Sequence, residues 1–377
     1  MNPIRVGINA RLLQSPSLRG WNRYTVNLLA ELPGQGVEPV LYTDRPIHEG
    51  HLARLPAGSF AVRQAPPMRL LRWEHRWLPG ACAEDGVALL HSPYNFGLPW
   101  SSPCPRVLTL HDAIGPLYHG RRRSWREHWG RAAARSRLAE WSSRVRAHKI
   151  ITVSEHAKTD IVEHLGIPAA KVVVIAEAAD PRFLAPVTAG DLARARGRHA
   201  LAAPYVFYVG GWDERKRIPG LVRAFAAAGL AGVELVLAGG RDDERAALVE
   251  LAEGLGVADR LHLLGWVEDE DLPALYAGAL CFAYPSEYEG FGLQLCEAMA
   301  VGCPTLAARA TSLPEVLGGG GETFELDELP ALLRRVADDP SHRAELSRRA
   351  RARASDFSWR RAAEQTAALY RDLVARG

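Results

Sequence analysis

The sequence predicts an α/β protein built from two parallel-sheet domains. Three observations predict it. At 377 residues the chain has material for two cores of ordinary size. Short, continuous apolar runs alternate with stretches of helical periodicity, the pattern of strands buried on both faces and joined by helices. That alternation lapses across 180–203 and then restarts. The expected domains are therefore 1–180 and 181–357, followed by a terminal helix over 358–377.

The elements follow in order. Arg5-Val6-Gly7-Ile8-Asn9 reads as the first strand and Trp21 to Leu32 as the helix after it. Val40-Leu41-Tyr42 is a second strand, and Val87 to His91 and Val107 to His111 are two more. A long helix is expected from Ser124 to Arg146, then strand Ile150 to Val153, an N-cap at Ser154, a helix to Leu165 and strand Val172 to Ile175. A short charged helix, Asp191 to Ala200, lies between Pro and Gly signals and marks the junction. Strands then recur at Tyr205 to Val209, Val233 to Ala238, Arg260 to Leu264, Cys281 to Tyr284 and Thr305 to Ala308. The helix before the last of these stops at Gly302, a residue suited to a left-handed C-terminal cap. From Ser358 to Leu373 the residues Trp359, Ala362, Ala363, Thr366, Leu369, Tyr370 and Leu373 recur at helical spacing. No strand follows this helix, so it must dock on a layer already built.

Bulk properties exclude several classes. A net charge of +3 gives no global reason for nucleic-acid binding. No apolar run approaches the roughly 20 residues that span a bilayer. Met1-Asn2-Pro3-Ile4-Arg5 leads straight into a strand, so no signal peptide is expected. The five cysteines show no metal-ligand spacing and read as small buried hydrophobes in a reducing cytoplasm.

Four segments carry chemistry. In Val209-Gly210-Gly211-Trp212-Asp213-Glu214-Arg215-Lys216, the glycines end a strand and let backbone approach a ligand. Arg215 and Lys216 follow as a bidentate fork and a mobile point charge, a pairing suited to a diphosphate; the bland alternative is a solvated basic turn. His111-Asp112 ends a buried strand on the sheet edge where parallel-sheet ligands bind, although a strand-ending His is often structural. Gly20-Trp21-Asn22-Arg23-Tyr24 turns from the first strand into a helix N-terminus, without the GxGxxG spacing of a dinucleotide site. Finally, Glu289-Gly290-Phe291-Gly292-Leu293-Gln294-Leu295-Cys296-Glu297 sets two carboxylates around a Gly-Phe-Gly turn. Glu297 falls in an apolar helix, where a buried carboxylate needs hydrogen-bond partners. Carboxylates there suit sugar and ribose hydroxyls.

Together these pieces resemble retaining GT-B glycosyltransferases of family 4, over nearly the whole chain. Glu289-x7-Glu297 is similar to the E-x7-E motif of that family. Tyr208-Val209-Gly210 to Arg215-Lys216 resembles its donor-phosphate loop. Thr109-Leu110-His111-Asp112, Val153-Ser154, Ser312-Leu313-Pro314-Glu315 and Phe357-Ser358-Trp359 resemble further family segments. The resemblance implies two Rossmann-like domains facing a central cleft, with the terminal helix crossing back to the N-terminal domain. It implies transfer of a hexosyl group from a GDP- or UDP-sugar to a saccharide, lipid-linked or small-molecule acceptor, with no metal and no cofactor. By residue, it assigns the donor diphosphate to Arg215 and Lys216, the donor sugar to Glu289 and the ribose to Glu297. The amides of Gly290, Phe291, Gly292 and Leu293 would face sugar and phosphate, with Gly210 and Gly211 beside them. Gly20 would line the phosphate, Val267 in Gly265-Trp266-Val267 the base, and His111 the transferred sugar. Trp21, Tyr94 and Asp112 are acceptor candidates, as are the loops around His91-Ser92-Pro93 and Arg72-Trp73-Glu74-His75.

Two departures stand out. The family's first loop often reads Gly-x-Gly, and here Gly20-Trp21-Asn22 places an indole where it narrows the acceptor entrance. Gly211 stands where many members carry Arg, which removes one expected contact. Across 121–149, ten Arg or Lys face two Glu, with Trp125, Trp129 and Trp141 interleaved. This suits peripheral contact with an anionic membrane face, or an ordinary helix with a solvated basic side. Two other functions remain open. A nucleotide-sugar epimerase or phosphorylase would need elimination groups or a cofactor lysine, and neither is identified. A non-catalytic sugar-nucleotide binder would fit a chain that had lost Glu289, Arg215 or Lys216.

Overall fold

A computed structural model describes residues 3–16, 20–115 and 141–376. The chain divides into two compact units, Met1–Glu177 with Ser358–Gly377, and Ala178–Phe357.

The first unit is built on β1 (Ile4–Asn9), β2 (Val37–Thr43), β3 (Ala61–Gln64), β4 (Leu89–Ser92), β5 (Arg106–Thr109), β6 (Lys149–Thr152) and β7 (Val172–Val174). They form one parallel sheet in the order β3-β2-β1-β4-β5-β6-β7. Val6, Leu90, Val107, Leu108, Ile150 and Ile151 are fully buried, which is why these strands read as unbroken apolar runs. β1 lies between β2 and β4, so the winding direction reverses there. Loops leaving the carboxyl ends of β1 and β4 diverge and open a crevice.

The terminal helix, Trp359–Ala375, belongs to this unit and packs on the Trp21–Glu31 helix. Trp359 meets Tyr24 edge-on at 5.7 Å. Tyr370 is fully buried and its hydroxyl lies 2.6 Å from His91 Nδ1. Burying an aromatic side chain of this kind contributes about 1.5–3 kcal/mol, enough to anchor a helix that has no strand to follow.

The second unit carries β8 (Tyr205–Gly210), β9 (Glu234–Gly239), β10 (Leu261–Gly265), β11 (Cys281–Tyr284), β12 (Thr305–Ala308) and β13 (Glu322–Phe324). These also form a parallel sheet, in the order β10-β9-β8-β11-β12-β13. Its switch point lies between β8 and β11, the two strands that end in the Gly210-Gly211 and Glu289 segments.

Differences from the sequence reading have simple causes. β3 and β13 were not anticipated: both are edge strands, and a short edge strand with a polar face gives no apolar run. The 87–91 and 107–111 runs become strands only at Leu89–Ser92 and Arg106–Thr109, and this leaves His111 in the loop beyond β5. The junction helix starts earlier, at Ala189, because Thr188 and Asp191 form a capping box. The expected 124–146 helix and the basic, Trp-bearing 121–149 segment lie outside the described residues up to 140. Residues 141–146 are helical, and Trp141 is exposed. Among the described residues no helix is long and apolar enough to cross a membrane.

Candidate functional site

In the second unit the site grows from the ends of β8 and β11. β8 terminates at Gly210 (φ 154), and a short 3-10 turn over Glu214–Lys216 follows. A Cβ on Gly210 would lie 2.7 Å from the Tyr208 hydroxyl, so glycine keeps this turn tight. β11 ends at Tyr284 and runs through Ser286 into the Glu289 loop. Backbone joins the two loops, because Glu287 N–H donates to the Arg215 carbonyl at 2.7 Å.

Side chains then converge on Glu289, which is only 8% exposed. Its Oε1 accepts from Lys216 Nζ, from Arg215 Nη1 at 3.0 Å, from the Tyr284 hydroxyl at 2.9 Å and from Ser286 Oγ at 2.6 Å. All four donors use the same oxygen, and Oε2 accepts no hydrogen bond among the described residues. Main-chain atoms are held as well: Thr311 Oγ1 accepts from Glu289 N–H at 3.0 Å, and Ser312 Oγ donates to the carbonyls of Glu289 and Phe291 at 3.0 and 3.1 Å.

The electrostatics follow. Burial would raise the Glu289 carboxyl, but Lys216 and Arg215 outweigh it and hold it at about 2. Burial opposes the Arg215 charge too, and Glu289 and Asp213 raise the guanidinium above its ordinary range. Lys216 is the member that burial works against: its amine is lowered by burial, with Glu289 pulling back and Arg215 adding repulsion. Its ammonium also sits 5.0 Å over the Tyr284 ring. Burial and the Glu289 charge push the Tyr284 phenol up, so it stays a donor.

Beyond Glu289, Gly292 (φ 93) caps the Leu293–Val301 helix without any side-chain hydrogen bond. A Cβ there would come within 2.8 Å of Leu313 Cδ2. The first-turn amides of this helix are thus not capped by a side chain, and with the helix dipole they favour an anion. Glu297 lies within the helix, 2% exposed, and accepts from the Tyr276 hydroxyl at 3.2 Å. It is held apart from the Lys216 cluster's hydrogen bonds. Gly211 and Gly290–Leu293 border the cluster in sequence, while Val267 is buried beyond β10, after Gly265 (φ 66) and the exposed Trp266.

In the first unit His111 is buried in the loop beyond β5. Its Nδ1 lies 3.0 Å from Glu177 Oε1 and its Nε2 3.2 Å from the Pro93 carbonyl. A neutral ring can donate to only one of them at a time. Trp21, at the start of its helix after Gly20 (φ 42), stacks near His111 at 6.2 Å and near Tyr94 at 6.5 Å. Asp112 turns back on its own backbone, accepting from Ile114 N–H at 3.1 Å.

The structure therefore brings Arg215, Lys216 and Glu289 into one cluster, gathers His111, Trp21 and Tyr94 into another, and places Glu297 with Tyr276. Sequence reasoning missed Tyr284, Ser286, Thr311, Tyr276 and Glu177 as partners. Tyr284 and Ser286 had a signal in their position between β11 and Glu289; Glu177 and Tyr276, far along the chain from what they touch, had none.

Comparison with known proteins agrees with this architecture. Residues 18–183 match the family described as Glycosyltransferase Family 4, and residues 191–353 match Glycosyl transferases group 1. O-antigen chain mannosyltransferase B of Escherichia coli is 34% identical over 60% of this chain and 61% of its own length. MMP alpha-(1->4)-mannosyltransferase of Mycolicibacterium hassiacum is 43% identical over 34% of this chain and 33% of its own. The matched stretches thus span less than two thirds of either relative. HepE of Anabaena, solved with UDP and glucose, has a TM-score of 0.75 at 21% identity, covering 98% of this chain and 100% of that one. At that identity the likeness establishes the fold: two Rossmann-like sheets of the GT-B type.

Proposed function

Because the chain belongs to glycosyltransferase family 4, we propose that it moves a hexosyl group, mannosyl first among them, from a GDP- or UDP-sugar to an acceptor hydroxyl. The single observation that carries this reading is the Arg215–Lys216–Glu289 cluster at the β8/β11 switch point, beside the Gly292 helix start. The mannosyl preference rests on the relatives named above.

The chemistry follows from where charge develops. As the C1–O bond of the donor breaks, negative charge gathers on the leaving diphosphate. Arg215, Lys216 and the Leu293–Val301 helix amides supply fixed positive charge for it, in a site already organised before reaction. Transfer in this reading needs no metal ion. Glu289, kept ionised by its two cations, uses Oε1 to hold them and offers Oε2 to a donor-sugar hydroxyl. Glu297 takes the ribose hydroxyls, with the Tyr276 hydroxyl fixing its carboxylate. Retention follows from attack on the face the diphosphate leaves, with the acceptor proton passing to a leaving phosphate oxygen. Within the first unit, Trp21, Tyr94 and Asp112 are assigned to the acceptor side, where a saccharide, a lipid-linked glycan or a small molecule would bind.

Thermal unfolding with GDP, GDP-mannose, UDP and UDP-glucose tests the reading. One nucleotide class should raise Tm in a concentration-dependent way, and Lys216→Met should remove that shift. If no nucleotide stabilises the native chain, or if Lys216→Met responds as the native does, the donor assignment is wrong.

A further inference from the structure

Gln294 is the second residue of the Leu293–Val301 helix, half-buried, in a first turn that no side chain caps. Helical side chains lean towards the N-terminus of their helix, so Gln294 leans back to the Glu289 loop. There it meets Tyr284, the last residue of β11, whose hydroxyl lies 3.1 Å from the Gln294 amide. Tyr284 is fully buried. Its ring stacks on Tyr208 at 5.9 Å and on Phe282 at 5.4 Å, and this packing fixes where the hydroxyl sits.

That hydroxyl has three polar neighbours. Lys216 Nζ donates to it at 2.7 Å, Glu289 Oε1 lies 2.9 Å away and Gln294 Oε1 3.1 Å away. A phenol has one hydrogen to give and two lone pairs that accept. Burial and the Glu289 charge push the phenol up, so it keeps its hydrogen. The ionised carboxylate is the nearer and stronger acceptor and takes it. Oxygen would then face oxygen at Gln294, with no hydrogen between them. Turning the amide over removes the conflict. Its NH2 group donates to the phenol, which accepts from Lys216 and Gln294 and donates to Glu289. Both orientations have the same shape, so hydrogen bonding decides between them.

The turned amide leaves its carbonyl oxygen free, because Gln294 makes no other hydrogen bond among the described residues. Glu289 Oε2 is free among them as well, and both groups touch the same phenol oxygen. Two unused acceptors therefore stand close together at the donor site. Neither carries a hydrogen, so each suits a hydroxyl; a sugar carboxylate has no hydrogen for either.

We propose that Gln294 is a specificity-determining residue for the donor: its carbonyl oxygen and Glu289 Oε2 take the hydrogens of two neighbouring hydroxyls of a neutral hexose. The inference rests on the glycosyltransferase reading and adds to it a residue that reads the sugar. A site built to hydrogen-bond a hydroxyl rejects the analogue that lacks it, because its own polar group is left unpaired.

The test is a cycle between protein and ligand. Calorimetry on the full chain measures Kd for GDP-mannose, for UDP-glucose and for the monodeoxy analogues of each, every analogue lacking one hexose hydroxyl. GDP and UDP alone are measured beside them. In the native chain the loss of at least one hydroxyl should weaken binding by about fivefold or more. In Gln294→Met, which keeps the length of the side chain and removes both polar atoms, the same loss should cost less than about twofold. Each ratio is internal to one variant, so a general change in folding or nucleotide affinity cancels. Equal ratios in the native and Gln294→Met chains for every analogue overturn the proposal, as does a native chain that binds GDP or UDP and tolerates every deoxy analogue. A native chain that binds no nucleotide at all overturns the donor assignment, and the role of Gln294 with it.

Discussion

Replacing Glu289 by Gln keeps its shape and removes its charge. The carboxyl is held at about 2, against 4.5 for an unperturbed group. A depression of that size corresponds to about 3 kcal/mol of folding free energy near neutral pH. The sign is fixed by the direction. The group is depressed on folding, so its contribution is complete above pH 4.5 and disappears as pH falls towards 2. Glu289→Gln should therefore cost about 3 kcal/mol at pH 7, and the gap to the native chain should shrink by about 2 kcal/mol on going to pH 3. Part of the cost is the Lys216 ammonium, left buried without its counter-charge. A second substitution isolates that part. Lys216→Met removes the stranded ammonium, so the double variant should lose less than the two single losses added together. Urea denaturation of the native, single and double variants at pH 7 and pH 3 measures all of this. A loss under about 1 kcal/mol at pH 7, or a gap that ignores pH, would refute the picture of an ionised, cation-paired Glu289.

Three further outcomes are expected. Glu74 is shifted the other way, raised by burial to about 7, so its ionisation costs stability as pH climbs from 4.5 through 7. Glu74→Gln should be more stable than the native chain by up to about 3 kcal/mol at pH 8 and no different below pH 4.5, as read by denaturation at both pH values. Tyr370→Phe should cost about 1–3 kcal/mol, because it leaves His91 Nδ1 buried without the hydroxyl 2.6 Å away; a neutral result would show that the terminal helix is held by packing alone. Transfer from the stabilising nucleotide sugar should continue in excess EDTA and give a product of retained anomeric configuration by NMR, and chelation that stops it would remove the metal-free mechanism.

Much of the architecture was legible in the residues. β1, β5, β6, β8 and β11 are interior strands, and burial on both faces writes them as apolar runs that local reading detects. Edge strands such as Ala61-Val62-Arg63-Gln64 escape that reading because solvent takes one side of them. Gly210 and Gly292 announced turns for a local reason, since each adopts a positive φ that other residues avoid. The family motif likewise lies within a few consecutive residues.

What the chain alone determined is thus whatever depends on neighbours in sequence: strand and helix periodicity, caps, glycine turns and the Glu289-x7-Glu297 spacing. Only the tertiary structure decided which charges meet. Lys216 and Glu289 are 73 residues apart, and nothing in either segment says that the cation expected at a diphosphate also grips the carboxylate expected at a sugar. His91 and Tyr370 are 279 apart, and Glu177 lies 66 from His111. The physical reason is that burial and partner choice are properties of a three-dimensional environment. The same carboxylate residue type is driven to about 2 at Glu289, with two cations beside it, and to about 7 at Glu74, where burial meets no paired cation.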